Sequence, residues 1–209
     1  IDEICWPKTW TGYVSLINEL GKTDFEKILK LYKEKKPKGQ KELRRETDCK
    51  AGALSPMKLY GVPVGKMFFQ GAIRLLCSGV SIHPVRVINS ETRHVIEAYP
   101  ALVARKCFSI TSSYKNDNPK KGTEKVLQKS RQQIVETICA DNNRRNQFIK
   151  NYGFRVEMSL KDQSTCISDQ SGDFLDSVLC AIQAAWSYSQ RDRNYGIPKT
   201  SYLNEGWIC

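Results

Sequence analysis

The 209-residue chain carries 33 Lys and Arg against 22 Asp and Glu, a formal net charge of +11, with 40% hydrophobic and 26% charged residues. A chain of this size buries a sizeable core in one domain, or in one domain with an insertion, and its composition is that of an ordinary soluble protein. No run approaches the ~18 apolar residues of a membrane span, so no membrane partner is expected, and the positive excess favours a polyanion such as nucleic acid.

In chain order, residues 1–6 read as the end of a strand, and the stretches Trp10–Leu20 and Asp24–Tyr32 have helical spacing. The segment KEKKPKGQKELRR, residues 33–45, holds seven basic residues around a Pro and a Gly and reads as a solvated connection. RRETDCKAGALSP follows as a loop or helix start, and VGKMFFQGAIRLLCS, residues 64–78, predicts an apolar helix that Gly79 ends. VRVI at 85–88 and HVIEAYP at 94–100, separated by the turn-like NSETR, predict a β-hairpin closed by Pro100. Helices are expected at 123–140 and 142–151, a short strand at Phe154–Met158, a further helix from Asp173, and a last strand in SYLNEGWIC.

Eight cysteines are spread along the chain without a C-x-x-C pair, which argues against a zinc ribbon. The same dispersed cysteines point to a reducing cytoplasm, and the start, Ile rather than Met, leads us to expect a fragment or processed product. With His83 and His94 the only histidines, a metal here would be held by carboxylates, which suits a hard ion, Mg2+ or Mn2+. Among the basic clusters, Lys35, Lys36, Lys38, Arg44, Arg45 and Lys121 are the candidate phosphate contacts.

The acidic residues stand where capping and metal binding compete as explanations. Asp173 and Asp176 open a helix whose apolar stripe runs through Leu175, Val178, Leu179, Ile182 and Trp186. Two acids in a first turn are also ordinary caps, because four backbone N–H groups lack partners there. Glu97 interrupts an apolar strand pattern and Asp2 lies between Ile1 and Ile4, so both are expensive to bury unless paired or metal-bound.

Seven motifs occur in one order: ID at 1–2, RETD at 45–48, SPMKLYGVPVGKM at 55–67, VIEAYPA at 95–101, the stretch from Tyr114 to Gly122, DFLDSVLCA at 173–181 and EGWI at 205–208. In this succession the chain resembles the predicted RNase H-like nucleases grouped as domain of unknown function 429. Its last helix is also similar to that of Holliday-junction resolvases. The resemblance implies an α/β fold, an RNase H-like mixed sheet flanked by helices. It implies a single domain over 1–209, lacking its N-terminal strands and carrying a helical, basic insertion at about 10–60. It further implies Asp2, Asp173 and Asp176 as metal ligands, with Glu97 joining them in catalysis. Asp48 and Arg45 match an R-x-T-D motif, and Glu205 belongs to the EGWI motif. The function expected is two-metal hydrolysis of nucleic-acid phosphodiesters. A non-catalytic nucleic-acid-binding or protein-interaction module on the same fold is the alternative.

Overall fold

The computed structural model describes residues 7–108, 113–116, 123–140, 147–199 and 204–209. They form two compact units: one holds the chain up to Glu97 together with Arg193–Cys209, and the other runs from Ala98 to Asp192.

The first unit is built on two helices. Helix α1 (Trp10–Glu34) starts at Thr9, whose hydroxyl accepts the Gly12 N–H at 3.2 Å. Gly21, at φ 77° and ψ 169°, divides α1 into two helical runs, matching the two stretches that the periodicity predicts. Val14 and Ile17 from the first run and Phe25 and Leu29 from the second are all buried. Helix α2 (Glu46–Ala51) ends at Gly52 in the left-handed conformation, and α3 (Val64–Cys77) packs against α1. Ile17, Phe25, Leu29, Leu59 and Phe69 make the shared core, each side chain worth ~1.5–3 kcal/mol by burial. Gly65 is needed at the base of α3, because a Cβ there would lie 2.9 Å from the Pro56 carbonyl oxygen.

The sheet corrects the expected hairpin. Strand β1 (Ser81–Ile82) pairs in parallel with β2 (His94–Val95), with Ser81 opposite His94 and Ile82 opposite Val95. The VRVI segment turns back instead of extending, since Ile82 and Arg86 exchange backbone hydrogen bonds of 2.7 and 2.8 Å. The Arg86 guanidinium donates to the carbonyls of Leu75, Leu76 and Val80 at 2.8–2.9 Å. It thereby satisfies the end of α3, where carbonyls lack intrahelical partners and the dipole favours a cation. A local electrostatic cap has outcompeted strand pairing. Beyond β2, Glu97 bridges in parallel to Ile208, the one ladder contact of the expected final strand among the described residues.

The second unit comprises α4 (Pro100–Phe108), α5 (Glu124–Cys139), α6 (Gln147–Tyr152), α7 (Leu160–Ser168) and α8 (Asp173–Ser189). Pro100 opens a helix here rather than closing a hairpin, as its fixed φ and missing N–H suit a first helical position. Helix α4 packs on α8 and α5 on α7, burying Val103, Ile134, Ile138, Phe148, Leu175 and Leu179. Gln183, almost fully buried in α8, accepts the Tyr99 N–H at 2.7 Å and anchors the start of α4. Arg131 is wholly buried, yet it is satisfied by the carbonyls of Ile167 (2.9 Å) and Tyr114 (3.0 Å) and by Glu124. Among the described residues the expected strand at Phe154–Met158 forms no ladder.

These observations overturn the α/β expectation. Among the described residues the protein is helix-rich and its only sheet has two strands of two residues each, so the RNase H-like mixed sheet flanked by helices is not what this chain builds. The physical reason is that the long apolar patterns repeat at helical spacing and bury helix on helix. The strand-like patterns between them are cut short by Pro84, Asn89 and Pro100.

Candidate functional site

Two charged clusters carry the residues singled out from the sequence, one in each unit. In the first unit, α2 begins with Arg45 at its N-cap and places Asp48 one turn later. The Asp48 carboxylate accepts the backbone N–H of Arg45 at 2.8 Å, the Nε–H at 3.0 Å and an Nη2–H at 2.7 Å. Glu97 faces the other edge of the guanidinium and accepts from Nη1 at 2.8 Å and Nη2 at 2.6 Å. The remaining Nη1–H donates to the Glu205 carbonyl at 2.9 Å. All five N–H donors of Arg45 are therefore used, in two fork-to-fork pairs and one carbonyl bond. Burial draws the Arg45 pKa down, but the hydrogen bonds and charges of Glu97 and Asp48 outweigh it and hold the guanidinium above its ordinary value.

This cluster joins three motifs that lie far apart in sequence: RETD, IEAYP and EGWI. The Ile208 N–H donates to the Thr47 hydroxyl at 2.8 Å, and the Cys209 N–H donates to the Glu97 carbonyl at 3.1 Å. Gly206 passes over the ion pairs at φ 80°, where a Cβ would lie 3.2 Å from both Arg45 Nη1 and Glu97 Oε2. Only glycine accommodates that path without displacement.

In the second unit, α8 starts from Gly172 in the left-handed conformation, and the Phe174 N–H donates to Asp169 Oδ2 at 3.0 Å. The Asp169 carboxyl is held below its usual range, first by that backbone N–H and then by Ser171. Asp169 therefore does the capping, and Asp173 and Asp176 have a different use. The Tyr114 hydroxyl donates to Asp176 Oδ1 at 2.6 Å, and the Lys115 ammonium lies against both Asp176 Oδ2 and Asp173 Oδ1, the latter at 3.3 Å. Burial lowers the Lys115 pKa, but Asp176 and then Asp173 more than restore it, so the ammonium stays charged. Burial and then Asp176 push the Tyr114 phenol up, so it remains a donor. The arrangement is a pair of carboxylates meeting one cation, with Asp176 oriented by a phenol.

The remaining sequence candidates fall as follows. Lys35, Lys38 and Arg44 are exposed, and Lys36 sits 5.0 Å from the centre of the Tyr32 ring. Arg45, expected as a phosphate contact, has no donor left for one. Glu97, expected beside the metal, accepts the Arg45 fork instead. Asp2 and Lys121 lie outside the described residues. Among the described residues no three His, Cys, Asp or Glu side chains gather as a metal-binding group.

Tyr114 and Lys115 lie in the stretch from Tyr114 to Gly122 but had no role assigned from sequence, and Asp169 was overlooked, because a lysine, a tyrosine and a loop aspartate carry no spacing signal of their own. It also set aside the two histidines as too few. His83 Nε2 and His94 Nδ1 are 2.9 Å apart, and both rings pack on Tyr195, with centroids at 4.1 and 5.4 Å. Burial and then His94 lower the His83 pKa. No family model, curated protein or solved structure matches the chain.

Proposed function

We propose that this protein acts on nucleic acid as a divalent-metal-dependent phosphodiester hydrolase, with Asp173 and Asp176 as the ligands that hold the ion. The observation that carries this reading is the convergence of both carboxylates on a single ammonium, since a place where two acids share one cation is a place a divalent ion suits. Two carboxylates fit Mg2+ or Mn2+, which retain water and take substrate phosphate oxygens as further ligands. Such an ion would supply polarisation of the phosphate and an activated water. The chain's own residues prepare for it. Tyr114 fixes the rotation of Asp176, and Lys115 keeps the acids close together by offsetting their repulsion. With an ion held by the two carboxylates, the Lys115 ammonium would be free to donate to a phosphate oxygen. The exposed basic stretch containing Lys35, Lys38, Lys41 and Arg44 suits a polyanionic substrate. The ordered motifs that resemble predicted nucleases support the same class of reaction.

The test combines binding and turnover. Added Mn2+ is expected to raise the melting temperature and to support cleavage of labelled RNA, DNA or a hybrid, and Asp176→Asn is expected to abolish both effects. If Mn2+ neither shifts melting nor supports cleavage, the hydrolase reading fails. A second reading, a non-catalytic nucleic-acid-binding module, is favoured by the closed Arg45–Asp48–Glu97 cluster and by Lys115 neutralising the acids. It predicts salt-sensitive binding without cleavage. On duplex DNA log affinity should fall with log salt by about 0.9 per phosphate neutralised, and replacing Lys38, Lys41 and Arg44 by Ala should flatten the slope.

A further inference from the structure

A recess of about 590 Å³ opens in the first unit between α1, α3 and the β2 segment. Its volume lies in the range of small-molecule pockets, which are mostly apolar with a few placed polar groups. The walls are Trp10, Tyr13, Phe25, Met67, Phe68 and Val95, and one end is closed by Arg45, Glu97 and Gly206.

The chemistry of that end selects the occupant. Arg45 has committed all five of its N–H groups and offers nothing to a ligand. Each Glu97 oxygen accepts one hydrogen bond, both from Arg45, while a carboxylate has about four lone-pair sites, so Glu97 retains acceptor capacity. Its side chain is also 39% exposed. Arg45 is paired with two carboxylates, the buried Asp48 behind it and Glu97 at the recess, so this cluster carries one net negative charge on a chain whose net charge is +11. Trp10, Tyr13, Phe25 and Phe68 make the walls aromatic, a surface that suits an organic cation over an anion.

We propose that this recess binds a small organic cation: an apolar, preferably aromatic body along α1 and α3, with an ammonium or amidinium group donating to Glu97. The site is separate from the Asp173–Asp176 pair and does not depend on the hydrolase reading.

Gly71 provides a clean perturbation. It lines the recess from within α3, and a Cβ added there meets no heavy atom within 4 Å. Gly71→Leu therefore fills the space at a helix-interior position where glycine is the poorer helix former. The probe is the cationic dye auramine O, read by its fluorescence on binding. Competition uses 4-phenylbutylamine, 4-phenylbutanol and 4-phenylbutyrate, which share one body and differ in head-group charge.

The parent protein is expected to bind the dye saturably, with the amine displacing it at least five-fold better than the alcohol and the acid displacing it worst. Gly71→Leu should lose dye binding at an unchanged or higher melting temperature, and Gly71→Ala should keep it. Glu97→Gln should bring the amine and the alcohol to similar potency. The proposal is overturned if the parent does not bind the dye, if Gly71→Leu binds it as the parent does, or if the acid competes as well as the amine.

Discussion

Removing the Arg45 guanidinium tests the central cluster of the first unit most directly. In Arg45→Ala, the Asp48 carboxylate, 1% exposed, keeps only the backbone N–H of residue 45 among its described donors. Breaking one side of a buried ion pair costs about 3–5 kcal/mol, because the charge left behind is neither solvated nor paired. A typical domain has about 5–15 kcal/mol of stability in all, so the loss is large. Arg45→Lys preserves the charge but offers three donors on a flexible stem in place of a planar fork of five, and is expected to cost about 1.5–3 kcal/mol. Glu97→Gln should cost no more than ~1 kcal/mol, since Glu97 is 39% exposed and solvent screens its pair. Urea unfolding followed by circular dichroism gives all three values, provided the slope against denaturant is unchanged among variants. If Arg45→Ala costs less than ~1 kcal/mol, or Glu97→Gln costs as much as Arg45→Ala, burial does not set the energetics of this cluster and the reasoning is wrong.

Three other outcomes follow from the geometry. Gly206→Ala should destabilise by about 1–3 kcal/mol in the same unfolding assay, because φ 80° is strained for alanine and the new Cβ crowds Arg45 and Glu97. Asp176→Asn without metal should cost about 1–2 kcal/mol, less at high salt, since Asn keeps the Tyr114 bond but loses the charge facing Lys115; a variant more stable than the parent would show that repulsion between Asp173 and Asp176 dominates. His83 has a folded-state pKa below its unfolded value of about 6.5, so as pH falls the unfolded chain takes up that proton first. Its contribution is full above that value and is lost as pH drops through the window beneath it. His83→Gln should therefore flatten the decline of melting temperature between about pH 7 and 5, and an unaltered profile would assign the decline to other groups.

Some of this protein was legible from its residues alone. The two runs of α1 and most of α3, α5 and α8 follow from apolar residues at helical spacing, which is a local property, and the basic stretch after α1 is a matter of composition. Glu97 stood out because a carboxylate in an apolar strand pattern has to be paired with something, Asp173 and Asp176 because they open an apolar helix, and Asp48 only through the R-x-T-D motif of the resemblance.

What each acid pairs with was decided only in three dimensions. The partner of Glu97 is 52 residues away, and that of Asp176 is 61 residues away, beyond the reach of any spacing rule. Strand direction was equally hidden. VRVI and HVIEAYP have patterns suited to a hairpin, yet Arg86 is drawn to the carbonyls at the end of α3, and β2 is left to pair in parallel with residues 81–82. The same holds at the start of α8. Asp173 occupies a position where an acid often caps, but the backbone turn at Gly172 delivers Asp169 to the free N–H, and Lys115 then draws Asp173 and Asp176 together. Local periodicity specifies which residues become helical; competition among charged groups for buried partners specifies how those helices end and what their charges hold.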